Sequence, residues 1–159
     1  AAIIGPSQGG SGVLASVLGN NGHLRDGVMM AHGGRTGQHE TLVFHESNQR
    51  IGHEAVGALK RVAARVLAEA RLGLDDIDWL IPHQANGRLL QATIDVLQIS
   101  PDRVTPLVQD MGSAGAASIG YGLHHLRQVK DVKPGDRSML LGVGAGLSYG
   151  GLIYQEGRS

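Results

Sequence analysis

The chain has 159 residues, 42% of them hydrophobic and 18% charged, enough apolar material for one domain with a buried core. Its 14 basic residues balance its 14 acidic ones, so it lacks the basic excess that non-specific nucleic-acid binding requires. No apolar run reaches the ~18 residues of a membrane helix. Cysteine is absent, which excludes disulfides and is compatible with a cytoplasmic protein.

The 25 glycines cluster at 5–37 and 112–151, inside apolar sequence rather than in one linker-like block. Such placement points to tight turns and close backbone approach. The opening Ala1-Ala2-Ile3-Ile4-Gly5-Pro6 reads as a strand cut short. Ser11 to Leu18 reads as a short strand, and His23 to Gly37 as a surface loop or lid. His39, Glu40 and His45 lack the spacing of a zinc-binding helix, so no metal site is expected.

A boundary is set after residue 48, where the clearest helix begins. Over 49–71, Ile51, Ala55, Leu59, Val62, Val66 and Ala70 form an apolar stripe, with Lys60, Arg61, Arg65 and Glu69 largely on the other side. Ile77 to Ile81 reads as a buried strand that Pro82 ends, since proline has no N–H for a sheet ladder. Asn86 is the expected N-cap of an amphipathic helix carrying Leu89, Leu90, Thr93, Ile94 and Leu97. His83 therefore stands between a strand end and a helix start, the usual location of chemistry in α/β folds.

Val104 to Gln109 reads as a short strand, with Pro106 arguing for an edge or a bulge. Asp110-Met111-Gly112 turns the chain. Ser113 to Gln128 reads as a helix whose small first half suits burial in the middle of a domain. After a turn at Lys133-Pro134-Gly135-Asp136, Ser138–Val143 and Leu147–Gln155 read as two strands joined through Gly144-Ala145-Gly146. The order strand, helix, strand, helix, strand, strand fits an α/β layer.

These elements bring His83, Ser113 and the Gly144–Gly146 turn toward one sheet edge. A helix starting at Ser113 would offer free N–H groups, and the glycine turn another, to a developing oxyanion. Ser113 as a hydrolase nucleophile is disfavoured, because Met111-Gly112-Ser113-Ala114-Gly115 lacks the first glycine of G-x-S-x-G. A dinucleotide loop at Gly142–Gly146 is rejected, because the sequence after it is extended rather than helical.

Pro82-His83-Gln84-Ala85-Asn86, followed by Arg88 and an apolar helix, resembles the ketosynthase III family of the thiolase superfamily. So do Leu74–Trp79, Gly112–Ser118, and the pair Val132–Asp136 and Gly142–Gly150, in that order along the chain. The resemblance covers the C-terminal half of such an enzyme. It implies an α/β thiolase-like fold, a layered mixed sheet with a buried helix, and likewise a homodimer. It implies a nucleophilic cysteine in an N-terminal half, carried by another segment or chain.

The resemblance implies no cofactor beyond coenzyme A or phosphopantetheine thioesters as substrates, with acyl carrier protein as a partner. Gln84, Ala85, Asn86, Gly87 and Arg88 match the carrier-contact segment, although Asp95 and Val96 stand where basic residues are frequent. The start of the first helix, near Asn48 and Gln49, matches the border of the pantetheine channel. His83 matches the catalytic histidine, and the backbone N–H of Ala145 the acyl oxyanion hole. Val143 stands where a channel phenylalanine is frequent, which leaves room for a longer or branched acyl group.

Ser113 occupies the asparagine position and offers one hydroxyl donor instead of an amide. The resemblance thus implies condensation of an acyl thioester with a malonyl thioester. Acyl transfer to an oxygen, nitrogen or sulfur acceptor without decarboxylation stays open, as does a non-catalytic, thioester-binding or partner-stabilising subunit.

Overall fold

The computed structural model describes residues 5–6, 10–33 and 38–157, with backbone alone at 30–33 and 38–42. The strand expected at the opening Ala1–Pro6 falls largely outside the described residues, as do the side chains of His39 and Glu40.

Strand alternation sets the architecture. β1 (Gly12–Asn20), β4 (Trp79–Pro82), β5 (Arg137–Gly144) and β6 (Ser148–Gln155) form one mixed sheet in the order β1-β6-β5-β4. β4 runs parallel to β5, while β6 is antiparallel to both β5 and β1. Successive side chains point to opposite faces. Leu80, Met139, Leu141 and Ile153 join one core cluster, and Ile81 and Leu140, with Leu152 and Tyr154 packed beside them, join the other.

α1 (Asn48–Ala70) and α2 (Gly87–Leu97) cover the first face. The expected stripe of α1 supplies Leu59, Val62 and Val66 at 0% exposure. Its N-terminus is capped by Ser47, whose Oγ accepts from Arg50 N at 3.2 Å. α4 (Ala117–Val129) lies on the second face, against β4 and β5. Arg127 fastens its end to the residue after β6 through two 3.0 Å bonds to the Glu156 carboxylate.

Several elements depart from expectation. β1 extends beyond Leu18 to Asn20. The segment expected as a loop or lid holds β2 (Val28–Gly33), which pairs antiparallel with β3 (Gln38–Phe44). Glycine and histidine dilute the β-forming residues there and obscure their alternation. Pro82 does not stop the ladder before it: Pro82 pairs with Leu141, and the next amide, His83 N–H, donates to Leu141 O at 2.7 Å.

The expected strand at 104–109 is reduced to one parallel bridge between Val104 and Leu80, and α3 (Val108–Met111) follows. The amides of Leu107 and Val108 go to the Gln84 side chain instead of a neighbouring strand. α4 starts at Ala117 rather than Ser113, because Gly112 (φ 66°) and Gly115 (φ 55°) take left-handed conformations that a helix cannot contain. Within this chain α4 is covered along Ser118, Gly122 and Leu126 only, so it is half-covered rather than fully buried.

Gly122 permits the contact between α4 and β4. A Cβ there would sit 2.6 Å from Ile81 Cγ2. Gly122→Val is expected to destabilise the fold by ~1–3 kcal/mol, the cost of overpacking a tight core. Urea unfolding checks this by a lowered midpoint.

Candidate functional site

The ladder between β4 and β5 delivers His83 to the sheet edge, and Asn86 starts α2 by accepting from Leu89 N at 2.8 Å. Between them the chain keeps the alternation of the strand, so neighbouring side chains part. Gln84 turns inward and is 1% exposed. Its Nε2 donates to Thr105 O at 2.9 Å, and its Oε1 accepts from Leu107 N at 2.8 Å and Val108 N at 3.1 Å. An acyl-carrier contact is therefore closed to the Gln84 side chain, contrary to the expectation from its motif.

His83 turns the other way and is half-buried. Its Nδ1 lies 3.1 Å from Ser118 Oγ, and that hydroxyl donates to Gly115 O at 2.8 Å. Burial lowers the imidazole pKa below its ordinary value, while the Gly115 carbonyl pulls it back upward. The ring is therefore neutral at neutral pH.

His83 and Ser113 line the same groove, about 1540 Å³ in volume. Ala85, Asn86, Gly87 and Arg88 form one wall, and Asn48, Gln49, Gly52 and His53 of α1 form another. Ala85–Arg88 of the segment expected to contact a carrier, and the channel border expected at Asn48 and Gln49, thus line one groove. Arg88 is exposed. Ser113 is also exposed, and it precedes α4 instead of opening it. The N–H groups of Ala117 and Ser118 are taken by Ala114 O and Gly115 O, so the helix start expected at Ser113 lies at Ala117 instead.

Ala145 and Val143 are not among the residues lining this groove. Ala145 lines a smaller cavity with Leu24, Gly27 and Arg50, and Val143 packs against the core beneath α1. The turn that carries Ala145 is braced from β1. Asn21 N donates to Leu147 O at 2.8 Å, Leu147 N to Asn21 O at 3.2 Å, and Asn20 Nδ2 to Ser148 Oγ at 2.9 Å. No cluster of three metal-ligating side chains occurs among the described residues.

The mixed sheet between helical layers, with a histidine at its edge, defines a thiolase-like α/β fold. Residues 67–155 match the family model for the C terminal of 3-oxoacyl-[acyl-carrier-protein (ACP)] synthase III, and the chain belongs to that family. It is 34% identical over 89% of its length to a beta-ketoacyl-[acyl-carrier-protein] synthase III of Cereibacter sphaeroides, spanning 43% of that protein. It is 32% identical over 98% of its length to a 3-oxopimeloyl-[acyl-carrier-protein] synthase of Rhodothermus marinus, spanning 47% of it.

The crystal structure of 3-oxoacyl-(acyl carrier protein) synthase III from Pseudomonas aeruginosa superposes with a TM-score of 0.83 at 29% identity, covering 92% of this chain and 44% of that one. The Thermus thermophilus synthase III structure gives 0.87 at 25% identity, covering 98% and 50%. The chain thus spans about half the length of the relatives it matches.

The contact of Ser118 with His83, and the place of His53 in the groove, escape a reading of motifs. Ser118 reaches His83 only because α4 starts late, which no periodicity announces. His53 sits on the polar side of α1, where a groove cannot be told from open solvent.

Two measurements check the site. Gln84→Ala strands the buried amide of Leu107 and the part-buried amide of Val108 and is expected to cost roughly 2–4 kcal/mol in urea unfolding. For His83, the depressed native pKa means that the unfolded chain binds a proton first as pH falls below ~6.5. Its contribution to stability is intact above that value and is lost as pH falls through the lower native pKa. Between about pH 7.5 and 5.5 the wild type is expected to lose more stability than His83→Gln.

Proposed function

We propose that the complete protein is an acyltransferase of the ketosynthase III type, joining an acyl thioester to a malonyl thioester. The observation that supports this reading is that His83, its pKa lowered by burial, lines one groove with Ser113. An acyl group would be held on a cysteine supplied by an N-terminal half of the same fold. Decarboxylation of malonyl thioester places negative charge on the thioester oxygen, which then needs hydrogen-bond donors aimed at it. His83 and Ser113 are the candidate donors, and Ala145 N–H serves the acyl carbonyl.

A second reading, acyl transfer to an oxygen, nitrogen or sulfur acceptor without loss of CO2, is favoured by Ser113 itself. Its single hydroxyl replaces an amide, and losing one oxyanion donor costs on the order of 10²–10³ in rate. Substrates in either case ride on coenzyme A or on phosphopantetheine of an acyl carrier protein. Arg88, exposed at the groove wall, is placed to attract an acidic carrier. The protein would act in the cytoplasm as a homodimer, with no further cofactor. The outer side of β1 and α4, where Leu18 is 84% exposed and Val129 52%, suits cover by the cysteine-bearing half.

Full-length protein supplied with acyl and malonyl thioesters is expected to release CO2 in step with free thiol. Thiol release with an added acceptor but without CO2 selects the second reading. Neither product would overturn both and leave a non-catalytic module.

A further inference from the structure

We propose that the outward face of α1, carrying Lys60, Arg61 and Arg65, is the docking surface for an acidic carrier protein that brings the thioester to the groove on a phosphopantetheine arm. The inference rests on the acyltransferase reading and narrows its donors from coenzyme A thioesters to carrier-borne ones.

Charge is unevenly spread over this balanced chain. α1 holds Arg50, Lys60, Arg61 and Arg65 against two acids, Glu54 and Glu69. Arg50 is already paired with Glu46 at 2.7 Å, and Glu54 lines the smaller cavity beside it. Lys60, Arg61 and Arg65 are exposed, and none of them pairs with a carboxylate among the described residues. Cations so close together on one helix repel each other, and an acidic partner converts that repulsion into attraction.

Their position ties the strip to the groove. His53 lines the groove from the same helix. Lys60 follows it two turns later on nearly the same side, about 10 Å along the axis, and Arg65 lies about 18 Å along. Arg61 reaches back toward the groove end, since a Cβ on Gly57 would lie 3.3 Å from its Nη1. The glycine leaves that guanidinium room one turn nearer the groove.

The other wall offers no such path. Arg88 is the one cation of α2. Farther along, Asp95 accepts from Gln91 Nε2 at 2.8 Å, and Val96 packs against the core. A partner approaching over α2 would meet one positive and one negative charge. The size of the strip also selects the donor. A coenzyme A thioester is met by the groove and its rim, whereas cations two and three turns beyond His53 serve a partner with a protein surface of its own.

The test compares two donors in full-length protein, the same acyl group carried on holo-acyl carrier protein and on coenzyme A. In a triple variant, Lys60→Glu with Arg61→Glu and Arg65→Glu, KM for the carrier-borne thioester is expected to rise roughly 10-fold or more, with kcat and the coenzyme A KM unchanged. Lys133→Glu, the same kind of charge reversal at the turn before β5, is expected to leave both KM values within about 2-fold. High salt is expected to raise the wild-type carrier KM toward that of the triple variant.

An unchanged carrier KM in the triple variant would overturn the proposal, as would an equal rise for both donors. If the triple variant does not fold, the three single reversals decide, each expected to raise the carrier KM by about 2- to 5-fold. Fluorescence anisotropy of labelled holo-carrier reads docking without turnover. Carrier binding that the reversals weaken, without acyl transfer from either donor, would uphold the surface and overturn the acyltransferase reading beneath it. Acyl transfer from the carrier that the reversals leave intact would uphold that reading and overturn the surface.

Discussion

The last rung of the β4–β5 ladder, His83 N–H to Leu141 O at 2.7 Å, decides where the chemistry of this chain can sit. Up to that rung the backbone is held by sheet hydrogen bonds, and alternation still governs which way each side chain points. Beyond it the chain leaves the sheet for the cap of α2 at Asn86. His83 is therefore the last residue whose amide the sheet holds, and it lines the groove. Gln84, one residue on, is aimed at the core by the same rule.

That opposition couples the groove to the interior. Gln84 satisfies the amides of Leu107 and Val108 and the carbonyl of Thr105, groups that the short bridge at Val104 leaves without a strand partner. Holding that corner sets the start of α3, and α3 leads through Gly112 and Gly115, both at positive φ, into α4. The chain thereby returns to His83 as Ser118. One buried amide side chain and two glycines thus close a circuit that begins and ends at the same histidine. Each buried polar atom in that circuit has a partner, whereas the nearby Thr105 Oγ1 has none among the described residues.

Much of this was legible in the sequence where one physical signal dominated. The 3.6-residue stripe of α1, the asparagine cap of α2 and the paired strands at the chain's end each rest on periodicity or on one local hydrogen bond. The segment 104–116 was not legible, because a distant side chain rather than a neighbouring strand satisfies its backbone. The same cause hid Ser118, whose meeting with His83 depends on glycine conformations that displace the helix start. The inward turn of Gln84 was available in principle, since strand parity sends residues 83 and 84 to opposite sides. Motif matching gave Gln84 to the carrier-contact segment and lost that distinction. The pairing of β2 with β3 lay behind glycines and histidines that conceal alternation.

The two faces of the sheet are not equally complete. On the side of α1 and α2 the core closes on itself, with Leu59, Ile77, Leu80, Met139 and Ile153 all at 0% exposure. On the other side Ile81, Leu126 and Leu140 form a smaller cluster, while Leu18 and Val129 stay largely in solvent. Each large aliphatic side chain left in water forgoes about 1.5–3 kcal/mol of burial. A second half seated there would recover that energy and meet the face that carries α4. His83 lies where this open face meets the closed one, bonded through Ser118 to α4 and through its backbone to β5. A nucleophile contributed from the open side would thus find the histidine already oriented. On the proposed reading, orientation is the work of this chain and covalent chemistry the work of its partner half.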